Sequence, residues 1–582
     1  MSKTFSIIIS FIAITFLVGN ALFLNETGVS QQQKETHNIE SSPTTIRVEE
    51  VLEEATSMTT ATTTVPEKIT EPTNFEESLP NRVFYKNIKL AISDLNNQSF
   101  QNAELSEKDA AVLVDRTQNS MTILKNVSID EIVRIKKKYN IILNGKTITL
   151  TKNGMFFIEE QASLTIFGSG DEKLYKKATS QNAKSIFHCE GGLQINDTVL
   201  ELDTKSISGT QIIFCAKNAT LYAEKSKFLI KAKEYINRAL YAESTKSITV
   251  KECQFNAQST SGRITAIHYQ TDKKSPNTLL LSNSKITTKT NSAEATGLYI
   301  AGIENVKNEN VDILVEAENC EFALDKGVAG IDIARCTNVT IDNTDSVAIQ
   351  TSPESNYKGF AIHEGSNENL VINGGTYCGW TSDFYSNVII NNATFSGIHS
   401  GLELFGTGTS VINNGYFESP WHGGIYVSCG NAYINNATLG APKLSESIIK
   451  EKTNIRIFDD SQTEWNGTLY SCIYFGSPTK EVKATLNECK FKYEENLPKG
   501  YVISLTTNHN HKNIFVHLNN ISTKYKLRND GENKGGFIGH LFLSEVVHGG
   551  IVGDGKVYLT QEPSLKDIEQ NTNEVDQDAP VS

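Results

Sequence analysis

Val388-Ile-Ile-Asn-Asn-Ala-Thr-Phe395 is followed along the chain by Val411-Ile-Asn-Asn-Gly-Tyr-Phe417 and by Tyr433-Ile-Asn-Asn-Ala-Thr-Leu439. Ile390, Ile412 and Ile434 are equivalent in these copies and lie 22 residues apart. Each copy is too short to bury its own apolar side chains, so the copies must cover one another, as in a solenoid. Outward from this region the pattern persists with longer turns: Leu193, Leu221 and Ile248 are spaced by 28 and 27 residues. A second motif alternates with the first. It is a short apolar strand led by glycine, as in Gly297-Leu-Tyr-Ile, Gly330-Ile-Asp-Ile, Gly401-Leu-Glu-Leu and Gly424-Ile-Tyr-Val.

Aligned on the first motif, the copies form two files. Small residues recur at Ser226, Cys253, Ser284, Cys320, Gly375, Ala393, Gly415, Ala437 and Cys489. Two positions on stand Phe228, Phe255, Ile286, Phe322, Tyr377, Phe395, Phe417, Leu439 and Phe491. In a strand this spacing puts both files on one face, which is the interior. The chain has nine cysteines and no close pair of the C-x-x-C kind. Because cysteine shares its slot with Ser, Ala and Gly, it reads as a small buried side chain rather than a metal or redox group. The expected fold is all-β: a right-handed parallel β-helix over residues 140–558.

The ends are read differently. Ile7–Leu24 is apolar behind Lys3, with Gly19 and Ala21 at a cleavage-like site, so residues 1–24 are a signal peptide or an N-terminal membrane anchor. Either places the body of the protein outside the cell, secreted or held at its surface. The Thr-rich segment 25–81 is a spacer too polar to fold, 82–139 an N-terminal cap, and 559–582 an acidic tail. Within the cap, Ser128-Ile-Asp-Glu131 matches a capping box, with Ile132, Val133 and Ile135 on one helical face behind it. A short capping helix is expected there, over the open end of the first coil. Residues Ile88–Leu95 carry only a modest helical pattern.

The repeats resemble those of the pectin-lyase-like superfamily of parallel β-helices. That resemblance implies the fold, and an activity drawn from lyases, hydrolases, epimerases, tailspikes or non-enzymatic adhesins. The polygalacturonase-like set is absent: Asn343-Thr-Asp345 matches its first element, without the paired Asp, Gly-His-Gly and Arg-Ile-Lys that accompany it. Arg335 stands alone between Arg263 and Arg456, with no Asp ladder beside it, so catalytic residues of the calcium-dependent lyases do not carry over.

Chemistry is therefore sought on the outward positions of the glycine-led strand, which successive coils stack about 4.8 Å apart. They read Tyr241, His268, Tyr299, Asp332, Ala361, Glu403, Tyr426 and Tyr474, and a short coil between Ala361 and Glu403 contributes Asp383. His399 and His422 precede two of these strands, with Trp380 and Trp421 close by. Aromatic faces and acids in one file suit a saccharide groove, with ligand contacts from Tyr299, Asp332, Trp380, Trp421, Tyr426 and Tyr474. Asp383, Glu403, His399 and His422 are the candidates for acid–base catalysis. The competing reading is aromatic stacking that only stabilises the sheet. His509, His511 and His517 fall in or near a polar turn without carboxylates and are not assigned a metal; no cofactor is expected.

A net charge of −13 without a basic cluster argues against a nucleic-acid partner. Three readings stay open: a surface or secreted protein binding a polysaccharide or glycoconjugate, an enzyme on uronate-type glycans, and a structural or adhesive stalk.

Overall fold

A computed structural model describes residues 82–559, apart from 99–100, 104–105, 179–183, 205–208, 234–235, 272–276, 291–294, 303–310, 326, 350–358, 366, 421–422, 429, 443–445, 449–450, 452–470, 477–480, 494–500, 506–512 and 531–537. The expected export segment, the spacer and the tail from residue 560 lie outside the described residues, as do Trp421, His422, His509 and His511.

The chain winds as a right-handed parallel β-helix, a typical coil giving one strand to each of three sheets. One coil runs Ser185–Cys189, Gly192–Asn196, Val199–Thr204, and the next begins with Gln211–Cys215, parallel to Ser185–Cys189. Among the described residues the three sheets hold 16, 19 and 14 strands in that order around the coil.

The large interior file is continuous. Phe228 pairs with Phe255, then follow Ile286, Phe322, Ser346, Tyr377, Phe395, Phe417, Leu439 and Phe491 in unbroken register. Ser346 is the one member absent from the sequence alignment, where a polar residue broke the apolar signature. Phe228 and Phe255 stack at 4.4 Å with rings 5° apart, and Phe395 and Phe417 at 5.6 Å and 6°. The small file does more than leave room. Its hydroxyls and thiols bridge coils: Ser226 Oγ accepts from Thr198 N–H, Ser284 Oγ from Cys253 N–H and Thr344 Oγ1 from Cys320 N–H. Each hydroxyl also donates to a carbonyl two residues back, as Ser226 does to Glu224. These corners carry left-handed residues, among them Asn392, Asn414 and Asn436 at φ 55°, 61° and 54°. Asparagine tolerates that conformation better than most side chains. All eight described cysteines are buried.

Beside the corner runs an asparagine file. Asn391 Nδ2 donates to Asn373 Oδ1 at 2.7 Å, Asn413 to Asn391 at 3.0 Å, Asn435 to Asn413 at 2.9 Å and Asn487 to Asn435 at 2.7 Å. Every amide is donor to one coil and acceptor from the next. Asn413→Ala is expected to cost about 1–2 kcal/mol because it strips a partner from both neighbours. Asn413→Asp, which cannot donate, should cost at least as much. Urea denaturation of both variants at pH 7 reads this out; unchanged midpoints would remove any role for the file in stability.

The short helix exists, but not where the capping box placed it. Val127–Ile129 and Ile132–Ile135 are strands, paired with Ile148–Leu150 and Met155–Ile158. Val127, Ile129, Val133 and Ile135 are buried while Ile132 is exposed, so the alternation of period two prevails over the helical one. Coil pairing supplies partners for this backbone that an isolated helical turn could not match. The capping helix is instead α1 (Ile88–Asn97), begun by Asn87, whose Oδ1 accepts from Leu90 N–H at 2.9 Å, and ended by left-handed Gln98. Its face of Ile88, Ala91, Ile92 and Leu95 is buried in the core and covers the first coil.

Candidate functional site

Strand register on the 16-stranded sheet fixes which outward residues are neighbours. Tyr241 pairs with His268, His268 with Tyr299, Tyr299 with Asp332, Asp332 with His363, His363 with Asp383, Asp383 with Glu403, Glu403 with Tyr426 and Tyr426 with Tyr474. The file of the sequence reading is thus present with one correction. Ala361 is fully buried in the core, and His363 takes the place assigned to it. Ile362 aligns with Ile331, so the residue equivalent to Gly330 is Ala361 rather than Gly359. Gly359 serves another purpose: a Cβ there would stand 2.8 Å from that of Ala348.

In the middle of the file the acids and imidazoles converge. His363 Nδ1 lies 3.1 Å from Asp332 Oδ1. His399 Nδ1 lies 2.7 Å from Glu403 Oε1, which also accepts from the Ser400 hydroxyl. The indole of Trp380 stacks on His399 at 5.5 Å and 19°. Asp332, Asp383, Glu403, His399 and Trp380 therefore share one stretch of one face, as five of the ten candidates. Tyr299 flanks it on one side, Tyr426 and Tyr474 on the other, the last two rings stacked at 5.2 Å. Trp421 and His422 are among the residues the structure does not describe.

Three members escaped the sequence reading. His363 was displaced by Ala361, two residues before it. Tyr385 and Phe405 are each two residues beyond an acid of the file, so the alternation Asp383-Phe-Tyr385 and Glu403-Leu-Phe405 pointed to them. Their rings stack at 5.2 Å, Tyr385 meets His363 edge-on at 6.1 Å, and Phe405 meets Tyr426 at 5.9 Å. Tyr385 is 44% exposed, which makes it a ring available to a ligand beside the acids.

Contrary to the expectation of an open ladder, Asp383 and Glu403 are only 7% and 5% exposed. Their environments push them in opposite directions. Burial, reinforced by the neighbouring Glu403 charge, drives the Asp383 carboxyl up to about 8. Burial would also raise Glu403, but hydrogen bonds and charge from His399, with Ser400 beside it, hold that carboxyl below its ordinary value. Burial would lower His363, yet the hydrogen bond and charge of Asp332, with Asp383 and Glu364, raise it. Near neutral pH the arrangement is one protonated acid beside one carboxylate on adjacent rungs of the coil stack.

Other buried carboxylates nearby are of a different kind. Glu364 accepts from the backbone of Asn367, Tyr385 and Ser386, and Glu418 from Ile448 N–H and the hydroxyls of Ser396, Ser447 and Tyr416. They tie turns down. Asp383 Oδ1, by contrast, is buried without a hydrogen-bond partner. Among the described residues no group of three or more His, Cys, Asp or Glu is placed to hold a metal ion.

No protein-family model, curated protein or solved structure matches this chain.

Proposed function

We propose that this protein is a secreted or surface-displayed β-helix of the pectin-lyase-like kind that binds a polysaccharide or glycoconjugate along its 16-stranded sheet and cleaves it at Asp383 and Glu403. The observation that carries the reading is the pair itself: two buried carboxyls in register, one raised to about 8 and one lowered, the raised one with an unsatisfied oxygen. Burying an unpaired polar atom costs free energy, and such atoms collect where a ligand completes the set. Tyr299, Tyr385, Tyr426, Tyr474 and Trp380 supply ring faces for sugars on both sides of the pair.

In this reading Asp383 protonates the glycosidic oxygen as the bond to the anomeric carbon breaks. Glu403, held on Oε1 by His399 and Ser400, faces the anomeric carbon in this reading. Carboxyls on adjacent rungs, whose backbones are about 4.8 Å apart, suit the short separation of retaining glycosidases better than the wider inverting one. Glu403 then acts as nucleophile, and water releases the sugar with Asp383, now ionised, as base.

The test is a reducing-end assay and calorimetric binding on a panel of neutral and acidic polysaccharides. The expected result is turnover by the native protein, lost in Glu403→Gln with binding retained. Binding without turnover removes the catalytic half and leaves a lectin-like protein. Neither binding nor turnover leaves the stalk reading.

A further inference from the structure

Five coils before Asp383, on the same face, one cation is held in an unusual way. Arg238 Nε donates to His268 Nδ1 at 3.0 Å, and the guanidinium lies over the Tyr241 ring with its central carbon 4.5 Å from the centroid. His268 Nε2 is 3.3 Å from Gln270 Oε1, and Gln270 Nε2 donates to the Tyr241 hydroxyl at 2.6 Å. Arginine, histidine, glutamine and tyrosine thus close a ring that fixes the plane of the guanidinium. Burial and the Arg238 charge push His268 down to about 4, so a neutral imidazole accepts from Nε near neutral pH.

What the ring leaves over is the terminal fork. Among the described residues Arg238 forms no ion pair, and its two Nη atoms donate to no protein group and are not sealed from solvent. Elsewhere on the coils cations are held differently: Lys173, Lys231, Lys251, Lys285 and Lys289 each meet a carboxylate of their own or a neighbouring coil. Arg528, at the far end of the same sheet, is paired by both oxygens of Asp530. Stacking on Tyr241 alone does not account for a preset, half-buried guanidinium without a counter-ion, because burial of an unpaired charge is unfavourable. The fork is shaped for a planar or tetrahedral oxyanion bound by two N–H groups. Tyr299, packed against His268 at 4.7 Å, adds a ring beside it.

We propose that Arg238, with Tyr241, His268 and Tyr299, forms a subsite for an anionic substituent of a glycan, a carboxylate or a sulfate ester on a sugar ring. This rests on the reading that the face binds glycan, and adds which glycans it prefers. Five coil steps separate the Tyr241 rung from Asp383, a span of about 24 Å, so a chain engaging both must be an extended oligomer.

Binding is measured by calorimetry for three oligomers matched in backbone and length: one of uronic acid, its carboxyl-reduced neutral counterpart, and the sulfated form of that neutral sugar. The native protein should bind one or both anionic oligomers more tightly than the neutral one, and added salt should shrink the gap. Preference for the uronate identifies a carboxylate subsite, and preference for the sulfated oligomer a sulfate subsite. Arg238→Gln should lose about ten- to hundredfold in affinity for the preferred anion. The neutral oligomer should be little affected, and Arg238→Lys should recover only part of the loss. Equal affinity of the native protein for charged and neutral oligomers overturns the proposal, whether or not the variants fold, and leaves glycan binding intact. A charge preference that survives in folded Arg238→Gln overturns it as well. Absence of binding to every oligomer overturns both readings.

Discussion

Asp383→Asn should make the protein more stable at pH 8 and no more stable at pH 4. In the folded chain the Asp383 carboxyl is raised to about 8, whereas in the unfolded chain it titrates near 3.8. Between those values the folded form holds a proton that the unfolded form has released. Stability therefore falls as pH rises, by about 1.4 kcal/mol per unit at most, and levels off above pH 8. Glu403 works in the opposite sense: its lowered carboxyl contributes stability above its ordinary value, lost as pH falls. Asparagine has no proton to hold, so the variant escapes the penalty while keeping the shape. After allowance for relaxation around the charge, the gain at pH 8 is expected to be on the order of 2–4 kcal/mol. Thermal or urea denaturation of both proteins at pH 4, 6 and 8 should show midpoints that separate as pH rises. A constant offset would mean that Asp383 is ionised in the fold at neutral pH. Under the proposed chemistry the same change removes the general acid, and turnover should drop by about 10²–10⁴ with sugar binding retained. More stability with less activity is the mark of a site held against its own folding preference.

The coil architecture was legible because the evidence for it repeats. An error at one copy is outvoted by the others, as where Ser346 interrupts the file between Phe322 and Tyr377. The cap was harder to read. Ser128–Glu131 fits a capping box letter by letter, and Ile132, Val133 and Ile135 fit a helical face as well as an alternating one. What decides is the edge of Ile148–Leu150 and Met155–Ile158, which offers the backbone a partner and is invisible to local pattern. Helix α1 owes its place to the same cause, since covering the first coil matters more than the strength of its own pattern.

The site was legible one rung at a time but not in depth. Period two gave Asp332, Glu403, Tyr299 and Tyr426 their common face, because alternation is a property of the strand and not of its surroundings. His363 was missed where the register moves two positions past Ala361, and Tyr385 and Phe405 because they lie beyond the central position of each strand. The burial of Asp383 and Glu403 and the closed ring around Arg238 depend on side chains from more than one coil at once. No single repeat carries that information.

Lys176→Met should stabilise the protein at pH 7 and lose that advantage above pH 10. Lys176 belongs to the interior file of the 14-stranded sheet, between Leu150 and Leu202, and is fully buried. Its ammonium donates to the Gly154 carbonyl, and among the described residues no carboxylate pairs with it. Burial lowers it from 10.5 to about 8. Between those values the unfolded chain still holds a proton that the folded chain has lost, so stability rises with pH across that window. Below pH 8 both forms are charged and the whole penalty applies, on the order of 2–3 kcal/mol. Methionine continues the apolar file with an unbranched chain of similar length and carries no charge to desolvate. The denaturation midpoint of the variant should exceed that of the native protein at pH 7, and the two should approach each other by pH 10. Destabilisation at pH 7 would show that the amine makes a net favourable contribution in the core, and that the lone carbonyl of Gly154 is a better partner than a buried ammonium ordinarily finds.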